Sequence, residues 1–231
     1  MAFLLVWFVN GSQVCAMSTG YTSETLPKDK QEELAVLYDV RLLTDEPKKE
    51  AIECFDVNER GFIAIGFSKA SQSGSRTIAI YSDKGVFQYG YQFEAMGAFY
   101  VEWVSDNLVI HIMRGEKAIT VNSIGEVEEI RTVLDTPESG RFQRKVLQAT
   151  QKRINNGTYY MKNDMGILNL FAWNYSQLWH ATADNNEVLL YDVNEDQFLK
   201  YIVGGIGICI FAGMLFLVVG REFVKLRKKE K

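Results

Sequence analysis

Apolar and polar positions alternate in short runs through most of this chain, and stop alternating near its end. From Ala51 the runs read "AIECFDV", "FIAIGFS", "RTIAIYS", "VFQYGYQF", "AFYVEWV", "LVIHIMR", "AITVNS" and "VEEIRTV". Each is rich in β-branched and aromatic residues and is bounded by turn residues such as "NERG", "DKG", "SDN" and "GEK". That pattern predicts strands joined as hairpins. The three-residue turn "DKG" places Gly85 where a positive φ is needed. A third set is predicted as strands after a polar stretch: "GTYYMKN", "GILNLFAW", "SQLWHATA" and "VLLYDV". Gln31–Leu43 fits a helix or a strand; the alternation of Val36, Tyr38, Val40 and Leu42 favours a strand.

Tyr201–Gly220 then runs for twenty residues without a charge, with apolar side chains on every face. A helix of that length spans about 30 Å, the hydrocarbon thickness of a bilayer. This predicts one C-terminal transmembrane α-helix. Arg221, Lys225, Arg227, Lys228, Lys229 and Lys231 follow it, whereas Lys200 is the only basic residue in the twenty before. Lys and Arg are retained on the cytoplasmic side. The expectation is a single-pass cell-membrane protein, N-terminal domain outside and C-terminus cytoplasmic. The six basic residues would anchor at the membrane surface through anionic lipid headgroups. "MAFLLVWFV" with "VCA" at 14–16 reads as a signal peptide over 1–16. It has no basic residue before Lys28, which suits a truncated start; an uncleaved strand or helix is the alternative. Within the span, Gly205, Cys209 and Gly213 are four apart, the spacing of close helix–helix contacts and hence of a protein partner.

The β runs repeat. "TIAIYSDKGVF" aligns with "AITVNSIGEV" at an offset of 40, which superimposes Gly85 on Gly125. "ERGFIAIGF" and "SDNLVIHIM" match at an offset of about 46. Periods of this size with four short strands each are those of propeller blades. The expected fold is an all-β ectodomain of about three four-stranded propeller-like units plus the transmembrane helix. Three blades do not close a ring, so the expectation is an open or partial propeller, an open stack or sandwich, or units completed by Gln31–Leu43 or by another chain. The boundaries are 1–16 signal peptide, 17–50 leader and linker with one ambiguous strand or helix, and 51–199 β-repeat ectodomain. The helix over 201–220 and the basic tail over 221–231 complete the chain. "VLLYDV" is expected to lack a following fourth strand, with "NEDQFLKY" as a stalk.

The stretches "FDVNERGFIAIGF", "IAIYSDKGVFQYGY" and "KNDMG" (162–166) resemble those of uncharacterised single-pass membrane proteins of Gram-positive, gut-type bacteria with a propeller-like β-repeat ectodomain. The resemblance covers most of residues 52–220. It implies family membership and topology, and it implies no activity.

The net charge of −4 divides unevenly. From Arg221 onward there are six basic and two acidic residues, so the body before them carries −8. An acidic body argues against a nucleic-acid partner. With Cys15 in the leader and Cys209 in the span, Cys54 is alone outside and is expected in a buried strand. His111 and His180 read as strand-face residues, since no HxxxH or CxxC supplies metal ligands. No cofactor motif and no GxSxG nucleophile turn occurs. The carboxylates Asp56, Glu59, Asp83, Glu94, Glu102 and Asp106 are ascribed mainly to turns. "DVNED" (192–196) has alternate-residue oxygens but lacks the glycine and distal glutamate of a calcium loop. The basic stretch 141–153 is a solvated strand pair or loop, or a face toward anionic lipid or polymer. Tyr89, Tyr91, Trp173, Tyr175 and Trp179 form a candidate ladder for a glycan or peptide. A binding, sensing or scaffold module is favoured over an envelope-polymer hydrolase or an accessory subunit of a membrane complex.

Overall fold

The computed structural model describes residues 20–68, 74–154, 157–184 and 186–229. The ambiguous segment resolves into both candidates. After β1 (Ser23–Thr25), α1 covers Lys28–Tyr38 and β2 covers Arg41–Leu43. The strand reading of 31–38 is therefore corrected. Its residues are strong helix formers, and Leu34, Ala35 and Tyr38 lie at helical spacing and pack on the core. Asp39, in the left-handed region at φ 45°, ends the helix, and its N–H donates to the Ala35 carbonyl at 3.0 Å.

Three antiparallel meanders follow. The first is β3 (Cys54–Val57), β4 (Ile63–Ser68), β5 (Ser75–Tyr81) and β6 (Phe87–Glu94). The second is β7 (Phe99–Val104), β8 (Asn107–Ile112), β9 (Lys117–Val121) and β10 (Val127–Val133). α2 (Pro137–Phe142) and a π-helical turn, Gln143–Leu147, lead to the third. That one is β11 (Gln151–Ile154), β12 (Gly157–Lys162), β13 (Gln177–Thr182) and β14 (Glu187–Asp192). β2 extends the first sheet beside β6, and β1 extends the second beside β10.

Equivalent turns explain the repeat. Ser82 and Val86 pair across one hairpin loop, and Asn122 and Glu126 across its counterpart. In each the side chain of the first residue accepts from the last residue's N–H, and glycine sits at positive φ: 72° at Gly85 and 86° at Gly125. The aligned glycines thus occupy the same corner.

The first sheet is the middle layer. Ile63, Ile65, Phe67, Ala79 and Tyr81 face the third sheet, packing with Tyr159, Leu178 and Tyr191. Their strand neighbours Ala64, Ile78 and Ile80 face the second sheet, packing with Phe99, Val101, Leu108 and Ile110. Burial on both faces is why these strands read as nearly continuous apolar runs.

Two expectations about the third unit are corrected. "GILNLFAW" is no strand: Gly166–Phe171 is a 3-10 helix on the surface. The missing strand is β11, from the basic stretch, so β14 is already the fourth. Nor is there a stalk. α3 (Asn194–Lys229) starts two residues after β14, and "NEDQFLKY" forms its first turns. Gln197 is buried there, and its side chain donates to the Asn174 carbonyl at 3.2 Å. The stretch Asn194–Met214 is long and apolar enough to cross a membrane. The expected signal peptide and Lys231 lie outside the described residues. So do the side chains of Cys209, Arg221, Lys225, Arg227, Lys228 and Lys229.

Candidate functional site

Asp56 stands in β3, where all four residues are buried. A buried carboxylate must be hydrogen-bonded or paired, and Asp56 is both. Its Oδ2 accepts from the Trp103 backbone N–H of β7 at 2.7 Å. Its Oδ1 accepts from the Val57 N–H at 2.7 Å and from the Lys152 ammonium of β11. One carboxylate therefore ties together the first strands of all three meanders. Burial pushes the Lys152 amine down, to about 8.

A cleft of about 430 Å³ opens over this junction. The β3–β4 turn supplies Asn58, Glu59 and Arg60; the β7–β8 turn supplies Ser105 and Asp106; Trp103 and Lys152 complete the wall. Arg60 pairs with Asp106 across it. Among the described residues the buried indole N–H of Trp103 has no partner. Charges of both signs, the Trp103 indole, the Ser105 hydroxyl and the Asn58 amide converge in a small volume. Such a lining suits a polar ligand of little net charge, held by hydrogen bonds and by contact with Trp103.

Sequence reasoning missed this site because Asp56 and Lys152 were read locally, as a turn residue and as part of a basic stretch. The available signal was a single acid inside the apolar strand run "CFDV".

The aromatic residues chosen from the sequence are dispersed. Tyr91 is core, and its hydroxyl donates to the Asn122 carbonyl at 2.8 Å. Tyr89 meets it edge-on, with ring centroids 5.7 Å apart. Tyr175 is half-buried and pairs through its backbone with Ile52. Trp179 lies beneath the Lys162 ammonium, 4.6 Å from its ring centroid. Trp173 alone of the five stands in solvent, 93% exposed. Gly205 and Gly213 are exposed, with nothing near a Cβ built on either.

His111 and His180 do lie on strands. His180 stacks on Tyr159 at 4.1 Å. His111 is buried with Glu102, Nε2 to Oε2 at 3.0 Å, beneath Tyr21 and Phe142. Burial favours the neutral form of each: it raises Glu102 to about 8 and lowers His111 to about 3. The contact is then a hydrogen bond between a carboxyl group and an imidazole, its donor set by the imidazole tautomer. Neither group reaches solvent well enough to meet a polymer substrate. Cys54 is buried, and burial pushes its thiol up, away from reactivity. The oxygens of "DVNED" serve a structural end: Asp192 accepts from the Asn194 N–H at 2.8 Å, and Asn194 Oδ1 accepts from the Ser176 hydroxyl at 2.8 Å. Among the described residues no group of three His, Cys, Asp or Glu side chains is placed to hold a metal ion. No protein-family model matches the chain, and no curated protein is significantly similar to it in sequence.

Proposed function

We propose that this chain is a membrane-tethered extracytoplasmic binding or scaffold module, its ligand site the cleft over Asp56. The observation that carries the reading is the join between body and helix. β14 passes through Val193 straight into α3, and the apolar stretch begins within the helix that caps the β body. Such a body is held against a bilayer rather than trailing from it.

The basic residues beyond Gly220 favour a cytoplasmic tail, which sets the β body outside. Three meanders whose first strands converge on one carboxylate are in keeping with a partial propeller, and with the resemblance to single-pass bacterial membrane proteins. In propellers the inner strands surround the central channel, and the cleft opens over the corresponding strands. A neutral sugar or short peptide is the ligand class that the lining favours.

Two measurements test this. A cysteine placed after Lys228 in a Cys-free chain should resist an impermeant thiol reagent in intact cells and react after lysis. Labelling in intact cells would reverse the orientation. Titration of the full chain in detergent with neutral disaccharides and short peptides should shift tryptophan emission, and Trp103→Leu should abolish the shift. A response that survives Trp103→Leu would remove the cleft from the function. The open, exposed faces of Gly205 and Gly213 favour a second reading, an accessory subunit engaged through α3. Gly205→Leu with Gly213→Leu would then release a co-purifying partner.

A further inference from the structure

Nine consecutive uncharged residues, Met165–Trp173, leave the third sheet between β12 and β13. A connection on the surface of a water-soluble domain is normally polar. This one holds Ile167 78%, Leu170 81%, Phe171 62% and Trp173 93% exposed. They stand together on and beside one 3-10 helix, so the exposure is a patch and not scattered single residues.

Its position says what covers it. Leu168, Leu170, Phe171, Ala172 and Trp173 form one side of an apolar groove of about 700 Å³; Tyr201, Gly204, Gly205 and Ile208 of α3 form much of the other. The patch is thus continuous with the first turns of the helix that is apolar enough to cross a membrane. Trp and Tyr gather at the level where hydrocarbon meets headgroups, and Trp173 and Tyr201 line the same groove. The segment is also fixed in place. Asn169 accepts from the Met165 N–H at 2.9 Å and donates to the Asn163 carbonyl at 3.2 Å, and Asn194 at the head of α3 donates to the Asp164 carbonyl at 2.8 Å.

We propose that Met165–Trp173 is a second membrane contact, laying Ile167, Leu170, Phe171 and Trp173 into the interfacial layer of the bilayer beside the start of the span. The occupant of the groove is lipid. The body is thereby fastened at two points, a span and an interfacial helix, and its orientation toward the membrane is set. This inference rests on the reading of α3 as a span.

The test uses the full chain in phosphatidylcholine vesicles with an environment-sensitive fluorophore on a single introduced cysteine, the three native cysteines being replaced. Leu170→Cys is the probe of the patch. Gly213→Cys is the probe of the span, and Ile124→Cys, an exposed apolar position on the β9–β10 turn, is the control. The expected result is strong quenching at Leu170→Cys by lipid spin-labelled near the headgroup, strong quenching at Gly213→Cys by lipid labelled deep in the tail, and little at Ile124→Cys. Quenching at Gly213→Cys without quenching at Leu170→Cys would overturn the second contact and leave the span intact. No lipid quenching at either site would overturn both. A Leu170→Cys probe untouched by lipid but shielded from aqueous iodide would show a protein, a partner or a second copy, in the groove, and would also overturn the proposal.

Discussion

Asp56 holds three strands with one side chain, so its removal should be felt in all three sheets. Asp56→Ala leaves the Lys152 ammonium half-buried without its partner and the Trp103 N–H without an acceptor. Breaking a buried pair on one side costs about 3–5 kcal/mol. The expected outcome is a lower denaturant midpoint for the body, with partial recovery in Asp56→Ala/Lys152→Met, since removing both charges is far less damaging than removing one. A single mutant as stable as the parent would show that the junction contributes little. The Glu102–His111 pair calls for a different measurement, stability against pH. Glu102 holds its proton more tightly when folded, so its contribution is full below 4.5 and is lost as pH rises toward about 8. His111 is the reverse: its contribution is full above 6.5 and is lost as pH falls toward about 3. Between 4.5 and 6.5 the two slopes cancel, and stability from this pair is flat, with a decline on either side. Urea midpoints across pH should therefore show that Glu102→Gln removes the decline between 6.5 and 8 and that His111→Asn removes the acid one. An unchanged alkaline limb in Glu102→Gln would mean that another group sets it and that the burial of Glu102 does not.

Among elements, the short N-terminal pieces have consequences out of proportion to their length. β1 covers the outer edge of β10, and β2 covers the outer edge of β6. Gln31 of α1 accepts from the Ile130 N–H at 2.9 Å. An uncovered edge strand is a template for pairing with another chain. A chain beginning at residue 44 is therefore expected to fold its three meanders but to associate. Light scattering should rise with concentration, and α1 supplied in trans would not suppress it because β1 and β2 would still be missing. The same elements show where sequence was informative. Hairpin strands were legible because short apolar or alternating runs recur between turn residues, and the glycines of two equivalent turns marked the repeat. β1 and β11 were not, since three or four residues carry too little pattern to outweigh their neighbours, and β2 was legible only as the end of a longer strand reading. "GILNLFAW" misled for a physical reason. Its apolar residues answer to a surface outside the β body, so their pattern follows neither face of a sheet. The cleft was illegible because Asp56, Trp103 and Lys152 come from three different strands, and only the packing of the sheets brings them together.

At the scale of the molecule, the decisive feature is that β body, 3-10 helix and α3 share one joint, Asn194. Its Oδ1 accepts from the Asp164 N–H at 3.2 Å and the Ser176 hydroxyl at 2.8 Å, and its amide donates to the Asp164 carbonyl at 2.8 Å. One side chain at the start of α3 thus holds both ends of the segment that carries Ile167, Leu170 and Phe171. Gln197, one turn on, holds the Asn174 carbonyl from the same helix. A net hydrogen bond contributes about 0.5–1.5 kcal/mol, so Asn194→Ala should cost about 2 kcal/mol, concentrated locally rather than spread over the body. Residues 164–176 should exchange their amide hydrogens faster and become open to protease, while β8 and β9 keep their protection, because the core that holds Leu108, Ile110, Ile119 and Val121 includes no residue of the joint. Native-state hydrogen exchange of the full chain in detergent reads both regions at once. Uniform loss of protection would show that the joint supports the whole fold. Unchanged exchange at 164–176 would show that the interfacial segment is held by its own contacts, chiefly Asn169 and Asn163. The expected local loss would make Asn194 the residue that fixes segment 164–176 to the start of α3.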